Sequence, residues 1–205
     1  MANEKIHDYV DQVVGGEIRN NNIFIDTDTE VTAGNWVSKK LLLADALSEF
    51  NTPFGDFYDT TTQIQTGANL VKAMQLNSSV TGNGISVVLD GSSLPTKIKP
   101  TKQGYFNIQF SAQLSRTTGG SSQQVSIWLR KNGVDVPQSN THINVVANSN
   151  KSVASWNWFL GCNANDEIQI MWSVTDVAIQ LLAELPNLVV PHPATPSLIV
   201  TISKV

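Results

Sequence analysis

Alternating acids are the first pattern here that could do chemistry. In I-F-I-D-T-D-T-E-V-T-A-G-N, Asp26, Asp28 and Glu30 would share one side of an extended chain and offer the oxygen ligands that calcium takes. The string lacks the spacing and obligatory glycine of a calcium loop, so the expectation is a solvated edge whose charges guard a strand from mispairing. The three histidines, His7, His142 and His192, stand at no ligand spacing from another His, Cys or carboxylate. The single cysteine, Cys162, excludes a multi-cysteine zinc site and an intrachain disulfide framework, and reads as a small buried hydrophobe. No G-x-S-x-G elbow marks an activated serine. Neither Asp26/Asp28 nor Asp166/Glu167 makes a convincing general acid and base for glycoside hydrolysis. Thr81-Gly82-Asn83-Gly84 has no following lysine and no strand-to-helix context, so it is no phosphate cradle. Arg130 and Lys131 beside Trp128 are too few charges for a nucleic-acid groove. The expectation is a chain with no catalytic residue, no cofactor and no metal.

The elements that would carry a site are better marked. From Tyr105 to Leu114, Phe106, Ile108, Phe110, Ala112 and Leu114 alternate with Tyr105, Asn107, Gln109, Ser111 and Gln113. A period of two belongs to a half-buried strand. T-T-G-G-S-S breaks the run, and the next strand sets Val125, Ile127 and Leu129 on one face. Asn132-Gly133 in K-N-G-V is a strong hairpin signal, because both residues accept the positive φ of a tight turn.

Charged residues make up 15% of the 205, against about 25% in an average domain. Asn, Gln, Ser and Thr fill the outward strand positions instead. Such a face costs less to desolvate than a lysine-rich one when its hydrogen bonds are matched. We expect a subunit that hides much of its surface in an assembly. A net charge of −4 argues against bulk attraction to nucleic acid. No apolar run reaches membrane-spanning length, and M-A-N-E-K-I-H-D has no secretory core, so a soluble product made in the cytoplasm is expected.

Residues 3–19 read as a short helix, with Ile6, Tyr9, Val10, Val13 and Val14 at three- and four-residue spacings. Residues 36–50 read as a second, capped by Ser38, with Leu41, Ala44 and Leu47 on one stripe. Asn51-Thr52-Pro53 marks a boundary. The organisation expected is an N-terminal arm over residues 1–52 and a β-domain over 53–205, mainly β and an antiparallel sandwich, with turn signals about every ten residues. Glu184 to Pro196, with four prolines, reads as a long irregular crossing before the last strand.

Trp156, Trp158 and Leu160 share one face, and Ile168, Ile170 and Trp172 another; these read as core. Trp128 alternates with Val125, Ile127 and Leu129 and so points outward, which suggests a subunit contact. Met171 and Ile199 hold similar off-face positions.

The segments G-Y-F-N-I-Q-F-S-A-Q-L, I-W-L-R-K-N-G-V-D-V-P-Q-S-N-T, W-N-W-F-L, D-E-I-Q-I-M-W-S-V-T-D and P-A-T-P-S-L-I-V-T-I-S-K-V carry a resemblance. Together, over about half the chain, they resemble the tumour-necrosis-factor/complement-type jelly-roll domains at the C-termini of tailed-phage virion proteins. That resemblance implies a jelly roll and a tight homotrimer, with Tyr105, Trp128, Met171 and Ile199 at the trimer interface. It also implies a place in the virion, beside major capsid or tail proteins; the charge and the absence of a spanning run give the further expectation of no nucleic acid and no membrane insertion.

Within that class the first expectation is a capsid decoration or head-fibre protein. Its arm, through Ile6, Val10, Val13, Trp36, Leu41 and Leu47, would dock on the shell. The alternative is a tail-fibre or tailspike component whose knob binds a host surface glycan or protein receptor. Exposed aromatic loops remote from the arm would favour it. A carbohydrate-active enzyme is the third and weakest reading, for want of paired acids.

Overall fold

The structure, a computed structural model, describes residues 24–32, 35–42, 52–146 and 151–205, with side chains from residue 52 onward. Two compact units divide the chain, residues 1–51 and 52–205.

In the first unit β1 (Phe24–Thr32) and β2 (Asn35–Leu42) pair antiparallel, from Phe24 opposite Leu42 to Thr32 opposite Asn35. This corrects the helix expected over 36–50. Its described part is a strand, with Trp36 opposite Glu30 and Leu41 opposite Ile25. Residues 24–32 are rich in Ile, Thr and Val, which suit a pleated ladder. Helix propensities differ by only about 0.7 kcal/mol per residue, and a full-length pairing overrides them. Asp26, Asp28 and Glu30 do fall at alternate positions of β1, and Asp26 stands opposite Lys40. The helix expected over 3–19, with Ile6, Val10 and Val13, lies outside the described residues, as does Leu47. Among the described residues there is no helix, so a helical arm is not supported.

The second unit is an antiparallel sandwich of two seven-stranded sheets. Its strands begin with β3 (Phe54–Asp59), β4 (Gln63–Ile64), β5 (Lys72–Ala73), β6 (Ser78–Asn83), β7 (Ile85–Leu89) and β8 (Pro95–Pro100). The central ones are β9 (Gly104–Arg116), β10 (Gln123–Lys131), β11 (Val134–Asp135), β12 (Thr141–Val145) and β13 (Lys151–Cys162). The chain closes with β14 (Ile168–Val174), β15 (Ile179–Leu181) and β16 (Leu198–Lys204). One sheet runs β4-β15-β9-β16-β3-β6, with β13 along the other edge of β9; the second runs β11-β10-β14-β8-β7, with β12 on β10 and β5 on β14. The long strands therefore lie as β3-β16-β9-β13 in one sheet and β8-β14-β10-β12 in the other. The chain crosses repeatedly between the sheets, and its last strand returns between β3 and β9, which is the wrapping of a jelly roll.

Alternation fills the space between the sheets. Phe106, Ile108, Phe110, Ala112 and Leu114 of β9 meet Leu198, Val200 and Ile202 of β16 on one side of the core. Val125, Ile127 and Leu129 of β10 and Ile168, Ile170 and Trp172 of β14 supply the other. Trp156 and Trp158 pack inward as expected: Phe110 stacks on Trp158 at 4.9 Å and meets Trp156 edge-on at 4.6 Å. The Trp158 indole donates to the Ser139 carbonyl at 2.9 Å, giving that ring the polar partner a part-buried indole needs. Cys162 is free and buried, and burial pushes its thiol up to about 11, which makes it the inert hydrophobe its isolation suggested. At the expected hairpin, Arg130 faces Asp135 and Lys131 faces Val134, while Asn132 and Gly133 take φ of 50° and 81°.

Candidate functional site

The inward alternation of β9, β13, β16 and β3 fixes what the same strands turn outward, because successive side chains leave opposite faces. Cross-strand register then sorts that outward face into rows. Phe159, Asn107, Ser203 and Phe54 stand side by side in one row. Asn157, Gln109, Thr201 and Asp56 form the next, and Ser155, Ser111, Ile199 and Tyr58 the third. Val153 opposite Gln113 closes one end, and Tyr105 opposite Gly161 the other.

Chemically the face is mixed and nearly uncharged. Phe159 is 65% exposed, Tyr105 69% and Ile199 40%, with Phe54 and Val153 also exposed. Asn, Gln, Ser and Thr surround them, and Asp56 is the one carboxylate in these rows. Asn157 donates to the Asn107 side-chain carbonyl across the strands at 3.3 Å. A shallow depression of about 230 Å³ opens between Phe54, Asp56, Asn107, Gln109, Thr201 and Ser203. Such a surface has apolar area to bury and few charges to desolvate, the composition of a subunit contact.

The four interface residues expected from sequence do not lie together. Tyr105 and Ile199 belong to this face. Trp128 and Met171 stand opposite each other on the outward side of the other sheet. Met171 is only 3% exposed within its own chain, and its strand β14 is flanked by β10 on one edge and β5 on the other. It cannot contribute surface to a partner. Strand parity sets these residues off the core, but which sheet each strand joins, and whether the side chain is covered, is set by non-local pairing. Phe54, Val153 and Phe159 were missed, although the inward setting of Trp156 and Trp158 already turns Val153 and Phe159 outward. Of the residues expected to anchor the arm, Trp36 and Leu41 lie on β2.

Elsewhere the chemistry-bearing groups are bound up in structure. Ser126 and His142 lie opposite on β10 and β12, with Oγ 2.9 Å from Nδ1, and the Asn140 amide is 3.4 Å from Nε2. This is an exposed cross-strand pair on an open sheet, without the cleft that acyl transfer uses. Arg130 binds Asp135 at 2.7 Å and holds its carboxyl below the usual range. Lys131 donates to the Gly161 carbonyl at 2.9 Å. Asp166 and Glu167 are separately engaged. Asp166 accepts from the Asn132 amide at 2.8 Å, which lowers its pKa, and from the Asn163 backbone N–H at 2.9 Å. Glu167 pairs with Lys97 at 2.6 Å. Among the described residues no three His, Cys, Asp or Glu side chains gather as a metal site would require.

No family model matches the sequence, and no curated protein does. Among solved structures the chain is similar to two crystal structures of murine APRIL, at pH 8.0 and pH 8.5. Each is 8% identical with a TM-score of 0.46, over 76% of this chain and 100% of that one.

Proposed function

We propose that this chain is a self-associating structural subunit, a homotrimeric component of a tailed-phage virion that serves as a capsid decoration or head-fibre protein. The observation that carries the self-association is the outward face of β13-β9-β16-β3, with its exposed Phe54, Tyr105, Val153, Phe159 and Ile199 set among neutral polar residues. Left in water, these side chains forfeit the gain of about 25 cal/mol per Å² that apolar burial brings. Covered by neighbouring copies of the chain, they realise it, and the neutral amides and hydroxyls between them can exchange hydrogen bonds across the seam. The threefold number and the virion setting rest on the resemblance of the sequence segments, and residues 1–51 are the attachment unit in this reading. Its partners are further copies and the major capsid protein; it performs no catalysis.

The tail-fibre alternative drew on exposed aromatic loops. Among the described residues the large aromatics counted as exposed, Phe54, Tyr105 and Phe159, all lie on strands, which favours the decoration reading. Two measurements test it. Solution mass at micromolar concentration should be that of a trimer, and a stable monomer would remove the basis of the proposal. Labelling on intact particles should place the chain on the head, and labelling confined to the tail would reverse the choice between the two.

A further inference from the structure

Between β15 and β16 the chain forms a projecting arm where an irregular crossing was expected. Glu184 and Thr195 exchange backbone hydrogen bonds at 2.9 Å, and Asn187 and His192 exchange a second pair at 3.1 Å. At the tip the Asn187 side-chain oxygen accepts from the Val189 and Val190 backbone N–H groups at 2.8 and 3.2 Å. Pro186, Pro191 and Pro193 restrict φ on either side of that turn. An arm ordered in advance loses little conformational freedom on binding.

What it holds out is aliphatic. Leu188 is 92% exposed and Val189 91%, with Leu185 and Val190 beside them, and residues 185–193 contain no Asp, Glu, Lys or Arg. The root of the arm adjoins the association face. Glu184 binds Lys151 at 2.5 and 2.6 Å, and Lys151 is two residues from Val153 on β13. The Leu182 N–H donates to the Gln113 carbonyl at 2.7 Å, and Gln113 stands opposite Val153.

We infer that this arm is a clamp whose Leu188-Val189-Val190 tip seats on the outward β13-β9-β16-β3 face of a second copy of the chain. An uncharged tip meets a face whose rows carry a single carboxylate, so at most one charge need be desolvated. Each copy has one arm and one face, so an arm-to-face contact is head-to-tail and builds a ring where the rotation between copies divides a full turn. A lipid surface fits less well, since residues 185–193 lack the aromatic and basic side chains that membrane-interface segments use. The inference rests on the self-association proposed above and adds a second element to it.

The test uses the full chain, with a photoreactive amino acid at position 189 and, separately, Val189→Asp. Irradiation should link two copies, with the joined peptide mapping to β3, β9, β13 or β16, and Val189→Asp should weaken association at least about tenfold while its strand circular dichroism stays that of the wild type. Should that variant lose its fold, Val189→Ser and the mapped link still decide. An oligomer that shows no inter-copy link and is unchanged by both substitutions would overturn the clamp and leave the association face standing. A chain monomeric throughout would overturn both. Sedimentation with phosphatidylcholine–phosphatidylserine vesicles, lost in Val189→Asp, would assign the tip to membranes and overturn the clamp.

Discussion

Arg116 at the end of β9 and Asp176 in the turn after β14 form an ion pair that ties the two sheets together. The buried guanidinium donates from Nε at 3.1 Å and from Nη2 at 2.5 Å to the same Asp176 oxygen, and its Nη1 donates to the Ser121 carbonyl. Removing one partner of a buried pair strands the other charge. Asp176 is itself partly exposed, so Asp176→Ala should cost about 2 kcal/mol in urea unfolding, less than for a fully buried pair. Arg116→Met, which replaces the buried charge with apolar volume, should cost clearly less. Equal losses in the two variants would mean that the pair is not acting through desolvated charge.

Acid should loosen the sandwich through the same group and two others. Asp176 is held below the usual carboxylate range by the Ala178 backbone N–H and by Arg116, Asp166 by the Asn132 amide, and Glu184 by Lys151. A carboxyl whose pKa is lowered by folding contributes stability that is complete above its unfolded value, about pH 4, and is lost as pH falls through the folded one. The thermal midpoint should hold from neutrality to mildly acidic pH and fall below about pH 4. Asp176→Asn should flatten that fall, and a pH profile identical to wild type would deny Asp176 its share.

Charge placed on the association face should separate subunits without unfolding them. Phe159→Asp and Ile199→Asp sit at exposed positions, so each should shift stability by no more than about 0.5 kcal/mol. Each should weaken association by about a hundredfold if the face is the seam. Trp128→Ala, on the other sheet, should leave the mass unchanged. Sedimentation of the three variants separates the possibilities, and dissociation by Trp128→Ala alone would move the seam to the β10-β14 face.

Residues 52–205 form a compact unit with its own buried apolar core and should fold without residues 1–51. The truncated chain should keep its strand circular dichroism and the subunit number of the full chain in solution, yet fail to join particles. Full incorporation of the truncated chain would deny the first unit its attachment role.

Much of the β-domain was legible because its cues are local. The alternation from Tyr105 to Leu114 dictates two faces whatever the partners, and Asn132-Gly133 selects its turn by tolerating positive φ. The cues failed where pairing is remote. Thr81-Gly82-Asn83-Gly84 reads as a glycine turn, yet Ser78–Asn83 is a strand paired alongside β3. The helix expected over 36–50 yields, in its described part, to a ladder of Asn35–Leu42 with Phe24–Thr32.

The amino-acid string by itself determined that strands with one oily and one neutral side would pack around Phe110, Trp158 and Trp172, since periodicity and side-chain size are properties of consecutive residues. Only the tertiary structure decided that Tyr105 and Ile199 share a face while Trp128 and Met171 lie on another, and that Met171 is covered. It also placed an aliphatic arm at the rim of the first face. Those outcomes depend on which strands become neighbours across scores of residues, and a pairing between distant segments leaves no local trace in either one.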